Sequence, residues 1–222
     1  MARVDSVIER SGSRGIEINS VLRNTYMLLA MTLLFSGVVA GVAMQLNLPH
    51  PGLIISLVGM FGLLFLTSKF RNSSLGILMV FAFTGFMGYT LGPIINYYVS
   101  AVGNGGQLVM TALGGTGVIF VALSGYVLTT RKDFSFMGGM LMAGILVAFI
   151  AGLAAIVFSM PALSLAVSCM FILLMSGLIL YETSEIIHGG ETNYIMATIT
   201  LYMTIYNLFT SLLHLLGIFG DE

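Results

Sequence analysis

Seven stretches of apolar residues, parted by short polar turns, make up most of this chain. They fall near residues 24–46, 52–68, 74–99, 108–129, 136–159, 162–187 and 194–218, the second being the shortest. A bilayer-spanning helix needs about 20 apolar residues at 1.5 Å of rise each. The pattern therefore predicts an all-α integral membrane protein of seven transmembrane helices. The brief connections favour antiparallel neighbours packed in one membrane domain, residues 24–218. A polar stretch of mixed charge precedes it, residues 1–23, expected to be a mobile tail, and residues 219–222 form a short polar end. The acidic residues of the first stretch, and its distance from the apolar run, do not suit a secretory signal.

The last apolar stretch is unlike the others. Thr200, Thr204, Asn207, Ser211 and His214 recur at spacings of four, three, four and three, which places them on one face of a helix. Hydrocarbon cannot satisfy hydroxyls, an amide and an imidazole, so this face is expected to meet protein or a water-filled cavity. Tyr202 and Tyr206 lie on neighbouring faces, where a buried phenol requires a partner. A helix that is polar over so much of its circumference belongs at the centre of a bundle. Small polar residues also bond across to adjacent helices for purely structural reasons, and either role suits each of them taken singly.

Charge then orients the spans. The eight Lys and Arg residues are Arg3, Arg10, Arg14, Arg23, Lys69, Arg71, Arg131 and Lys132. All fall on one side of a seven-span chain, so the positive-inside rule puts the N-terminus in the cytoplasm and the C-terminus in the periplasm. The turn at residues 188–193 carries no Lys or Arg and is placed inside by parity alone.

Composition narrows the function classes. Hydrophobic residues make up 58% and charged residues 8%, against about 25% charged in soluble domains. The scattered basic residues offer no groove for nucleic acid. The single cysteine, Cys169, excludes an internal disulfide and a multi-cysteine metal site, and its apolar setting suggests a packing role. The 27 glycines suit a tight bundle, with Gly37/Gly41 and Gly88/Gly92 reading as helix contacts. Gly92-Pro93 is expected to kink or end the third helix. No internal repeat stands out.

Glu182 and His214 are the ionisable side chains clearly within spans. Glu182 lies about 9 Å inside the end of the sixth helix, with Glu185 and His188 continuing its face toward the cytoplasm. A carboxylate at that depth must find partners, reach water or take up a proton. The plainer alternative is a solvated carboxylate in the interfacial zone. His214 lies toward the opposite end of the bundle, where a bonded packing role suits it. Enzyme signatures are missing: no H-E-x-x-H motif occurs, and Asp5, Asp133 and Asp221 all lie outside the spans. Ser124 has no adjacent base in sequence to activate it. No cofactor is expected.

Several runs resemble the Bax inhibitor family of membrane proteins. They are Gly76-Ile77 with Phe81-Ala82-Phe83-Thr84-Gly85 and Leu91-Gly92-Pro93, then Gly138-Gly139-Met140-Leu141-Met142, Leu180-Tyr181-Glu182-Thr183 and Tyr194-Ile195. Leu22-Arg23-Asn24-Thr25-Tyr26 and Ile187-His188-Gly189-Gly190-Glu191 are similar to its bacterial YccA-like branch. The resemblance covers all seven spans and implies a fold whose seventh helix is surrounded by the other six.

It also implies two functional readings. Calcium-leak members carry acids on the sixth and seventh helices that share a proton and gate a pore. Glu182 matches the first position, but Thr204 and Thr200 stand where seventh-helix acids would be. Two close carboxylates can share a proton, whereas a carboxylate beside a threonine cannot, and calcium affinity falls with each negative oxygen lost. The YccA-like branch implies association with the membrane-bound ATP-dependent protease FtsH and its associated membrane proteins, as modulator and substrate. The leading expectation is thus a non-enzymatic inner-membrane modulator of that protease. The alternative is a pH-sensitive calcium, cation or proton leak using Glu182, Glu185, Thr200, Thr204 and Asn207, with Ser211 and His214 as a secondary polar face.

Overall fold

The computed structural model describes residues 2–101 and 103–219, with side chains from 18 to 100 and from 103 to 218. Among the described residues there are seven α-helices: α1 Ala2–Gln45, α2 Leu53–Phe70, α3 Ser74–Ala101, α4 Gly105–Thr130, α5 Gly138–Val157, α6 Pro161–His188 and α7 Tyr194–Phe219. All seven are long and apolar enough to cross a membrane. A 3₁₀ turn, Ser135–Met137, leads into α5.

Local chemistry sets several ends. Pro161 opens α6, where its missing N–H is no loss. Gly189 closes it in the left-handed region at φ 78°, and the N–H of Gly190 returns to the carbonyl of Glu185 at 2.8 Å. Asn193 then starts α7: its Oδ1 accepts the N–H groups of Ile195 and Met196, each at 3.1 Å. Its Nδ2 donates to Asn72 Oδ1 at 2.9 Å, tying this turn to the one between α2 and α3.

The closest helix pairing is α1 with α3. Gly88 lies against the carbonyl of Ser36 and Gly92 against Ala40 and Ala43, contacts that any side chain there would block. α7 occupies the centre and packs on α6, α4, α1, α3 and, at its edge, α2. The exception is α5, which rests on α6 and does not reach α7. Leu28, Phe83, Ile186, Ile199 and Tyr202, from α1, α3, α6 and α7, join in one buried core. α2 presents Ile54, Val58 and Phe65 outward, as a helix at the lipid boundary does.

Two expectations are revised and a third is narrowed. Of the two outcomes expected at Pro93, α3 does not end there but runs on to Ala101, since membrane helices tolerate an internal proline where neighbours and side chains accommodate the freed carbonyl. Cys169 is exposed on the outer face of α6 rather than packed. Gly37 and Gly41 touch no neighbouring helix, because a Cβ added at either would meet nothing within 4 Å. Helix α1 begins at Ala2, so the stretch read as a tail has helical backbone continuous with the first span.

Candidate functional site

Glu182 is carried by α6 and is buried, 6% exposed. Its height relative to α7 follows from the bond between Ser168 Oγ and His214 Nδ1, 2.7 Å, which registers the two antiparallel helices. Glu182 lies fourteen positions beyond Ser168, and Thr200 fourteen positions before His214. At about 100° and 1.5 Å per residue, both return to nearly the same face some 21 Å along the axis. The register thus sets Glu182 level with the Thr200–Thr204 turn of α7.

The Thr204 hydroxyl and the Asn207 amide are already engaged. Thr204 Oγ1 donates to the carbonyl of Thr200 at 2.7 Å, and Asn207 Nδ2 to that of Met203 at 2.8 Å. These bonds to their own helix engage the Thr204 hydroxyl proton and one of the two Asn207 amide protons without a partner from α6. Among the described residues no hydrogen bond is made to the Glu182 carboxylate, and its charged neighbours, Glu191 and Glu185, are both acidic. Between the levels of Glu182 and His214 the α6–α7 seam is filled by Met175, Ile179 and Leu208, all buried. Ser211 is buried and Thr200 and Asn207 are half-buried, so the polar stripe faces protein over most of its length. Among the described residues no group of three or more His, Cys, Asp or Glu could hold a metal ion.

The polar bonds that cross between helices are mainly those of tyrosines. Tyr202 OH meets Ser36 Oγ of α1 at 2.6 Å and donates to the Thr84 carbonyl of α3 at 3.3 Å. Tyr206 OH meets Thr90 Oγ1 of α3 at 3.1 Å. Nearer the α6–α7 turn, Tyr26 of α1 bonds Ser124 of α4 and lies 3.4 Å from Thr183 Oγ1 of α6. Ser124 is therefore a member of a hydroxyl cluster that joins three helices. Tyr202 and Tyr206, four residues apart, were visible in sequence; their partners on α1 and α3 were not. The hydroxyl of Thr25, wholly buried, has no partner among the described residues.

The turn end of the bundle is polar. A cavity of about 520 Å³ lies between α1 and the α6–α7 turn, lined by Ser20, Asn24, Glu191, Thr192 and Tyr194 among others. Beside α6, Ser184 Oγ accepts the N–H of Phe134 at 2.9 Å and so holds the α4–α5 loop to the bundle. In that loop the N–H of Ser135 donates to Asp133, which holds the exposed Asp133 carboxyl below its ordinary range.

The chain is similar to known proteins over nearly its whole length. Residues 18–221 match the family described as Inhibitor of apoptosis-promoting Bax1. The chain belongs to the Bax inhibitor family. Similar relatives include the Escherichia coli K12 protein named Modulator of FtsH protease YccA, 56% identical over 216 residues, 96% of this chain and 98% of that one. An uncharacterized protein of Pseudomonas aeruginosa is 54% identical over 206 residues, 93% of this chain and 92% of its own. An uncharacterized membrane protein of Vibrio cholerae is 45% identical over 210 residues, 94% of each.

Proposed function

We propose that this chain is a non-enzymatic inner-membrane protein that binds and modulates a membrane-bound ATP-dependent protease of the FtsH type, and is itself a substrate of it. The observation that carries this reading is similarity over nearly the whole chain, at 56% identity, to the protein named as modulator of that protease. A relative from another Escherichia coli strain, also 56% identical over 216 residues, is named as an inner membrane protein. The placement of all eight Lys and Arg residues supports a cytoplasmic N-terminus and a periplasmic C-terminus. On that topology the polar residues 1–23 lie on the side where an ATP-driven protease has its substrate entrance, and a polar chain end suits initial engagement.

The leak reading has less support. Thr200 and Thr204 supply no second carboxylate, and Met175, Ile179 and Leu208 close the seam beyond Glu182. The proposed partnership is tested by purifying the chain from membranes after mild cross-linking and identifying what travels with it. Recovery of the protease above the level seen with an unrelated seven-span protein is expected. Its absence at matched expression overturns the proposal.

A further inference from the structure

α1 and α4 both pack on α7, yet they do not pack on each other along their lengths. They meet through Tyr26, Ser124 and Phe120. Beyond Phe120, toward the Gln45 end of α1, they separate around a cleft of about 450 Å³. Gly37 and Gly41 form one wall, Leu113 and Gly117 the other, and Tyr206 and Phe209 of the central helix lie at its floor. A Cβ at Gly37, Gly41 or Gly117 would meet nothing within 4 Å, so the small residues leave room that no neighbouring helix fills.

The open side of the cleft is continuous with the surface that meets lipid. Leu34 and Val38 on α1, and Met110 and Val118 on α4, flank it and are all more than 60% exposed. From Leu33 to Met44 the α1 wall rises eleven residues, about 16 Å, which matches one leaflet of a hydrocarbon core about 30 Å thick. The lining carries no ionisable group apart from the two tyrosines, whose hydroxyls bond Ser36 and Thr90. Such walls suit neither an ion nor a charged peptide, and water gains little against them.

We propose that this cleft is a lipid site, which takes one phospholipid acyl chain from the adjoining leaflet and brings it into contact with the central helix. The site stands apart from the protease reading. On the topology above, the leaflet is the periplasmic one.

The test uses the full chain in phosphatidylethanolamine–phosphatidylglycerol vesicles containing a phosphatidylcholine with a diazirine on one acyl chain. After illumination, label is expected on α7 at Tyr206 and Phe209 as well as on the outer helices. Label confined to the outer helices overturns the proposal and is the result if a second copy or another helix fills the cleft. Gly41→Leu, which fills the space, should lower α7 labelling several-fold. Gly62→Leu adds the same side chain on the outer face of α2, where a Cβ also meets nothing, and should leave labelling unchanged. Undiminished α7 labelling in Gly41→Leu overturns the site as drawn. Gly117→Leu fills the cleft from the opposite wall should Gly41→Leu not fold, and the parent chain's labelling decides the matter if neither does.

Discussion

Ser36 Oγ and Tyr202 OH lie 2.6 Å apart and couple the first span to the central helix. Tyr202 is 2% exposed and also reaches the Thr84 carbonyl, so one phenol ties α7 to both α1 and α3. Tyr202→Phe keeps the ring and removes both bonds. It should destabilise the bundle by roughly 0.5–2 kcal/mol, because hydrogen bonds between membrane helices contribute modestly. Reversible unfolding in mixed micelles would measure this. Ser36→Ala should weaken the same tie, and the double variant should lose less than the sum of the two single ones. Full additivity would show that the two hydroxyls are not coupled.

Gly88 and Gly37 separate packing from mere smallness. A Cβ at Gly88 would clash with the Ser36 carbonyl oxygen, a backbone atom that cannot swing aside, and would crowd Ser36 Oγ at 2.9 Å. Gly88→Ala should therefore push α1 from α3 and cost about 1–3 kcal/mol or more. Gly37→Ala, with open space around it, should be near neutral. The same unfolding assay ranks them, and equal effects would refute the pairing of α1 with α3 through Gly88.

Much of this fold could be read from the chain because hydrocarbon leaves so few options. A run of apolar residues of bilayer length must be a helix, and the helix ends fall within three residues of the sequence-based spans wherever a polar turn follows. Centrality of α7 was likewise legible, since a face bearing Thr200, Thr204, Asn207, Ser211 and His214 cannot look into lipid. What periodicity could not tell was which helix each face meets. Gly37/Gly41 and Gly88/Gly92 look alike in sequence, yet one pair lines an open cleft and the other abuts α1. The hydroxyl of Thr204 and the amide of Asn207 suggested contacts across helices and instead bond one turn back. Glu182 was identifiable by depth, whereas its level relative to Thr200 needed the Ser168–His214 bond.

Topology is open to a direct check. A reporter fused after residue 222 should read as periplasmic and one placed at Arg131 as cytoplasmic. A cytoplasmic reading at the C-terminus would contradict seven crossings with the N-terminus inside.

Turnover tests the tail. If the protease engages the chain from its N-terminal end, deleting residues 2–14 should lengthen the protein's lifetime in cells several-fold while leaving it inserted. The first apolar run begins near residue 24 and does not include those residues. A pulse-chase showing unchanged decay would remove this end from the mechanism.

The α6–α7 seam yields the sharpest test of whether ions pass. Thr204 is wholly buried and its hydroxyl bonds the Thr200 carbonyl, at the level the register assigns to Glu182. With one carboxylate and no second acid on α7, the parent chain should carry little calcium in liposome flux assays. Thr204→Asp replaces the self-bonded hydroxyl with a second carboxylate facing α6. Two acids at close range hold one proton between them, so the pair's charge, and with it any cation attraction, becomes dependent on pH. Calcium flux should then rise at least several-fold over the parent, and Glu182→Gln in the same background should abolish the gain. Asn207→Asp, one turn farther along α7, should do less, because Met175, Ile179 and Leu208 close the seam on that side. Robust flux from the parent itself would show that the two threonines do not silence the seam, and would put the leak ahead of protease modulation.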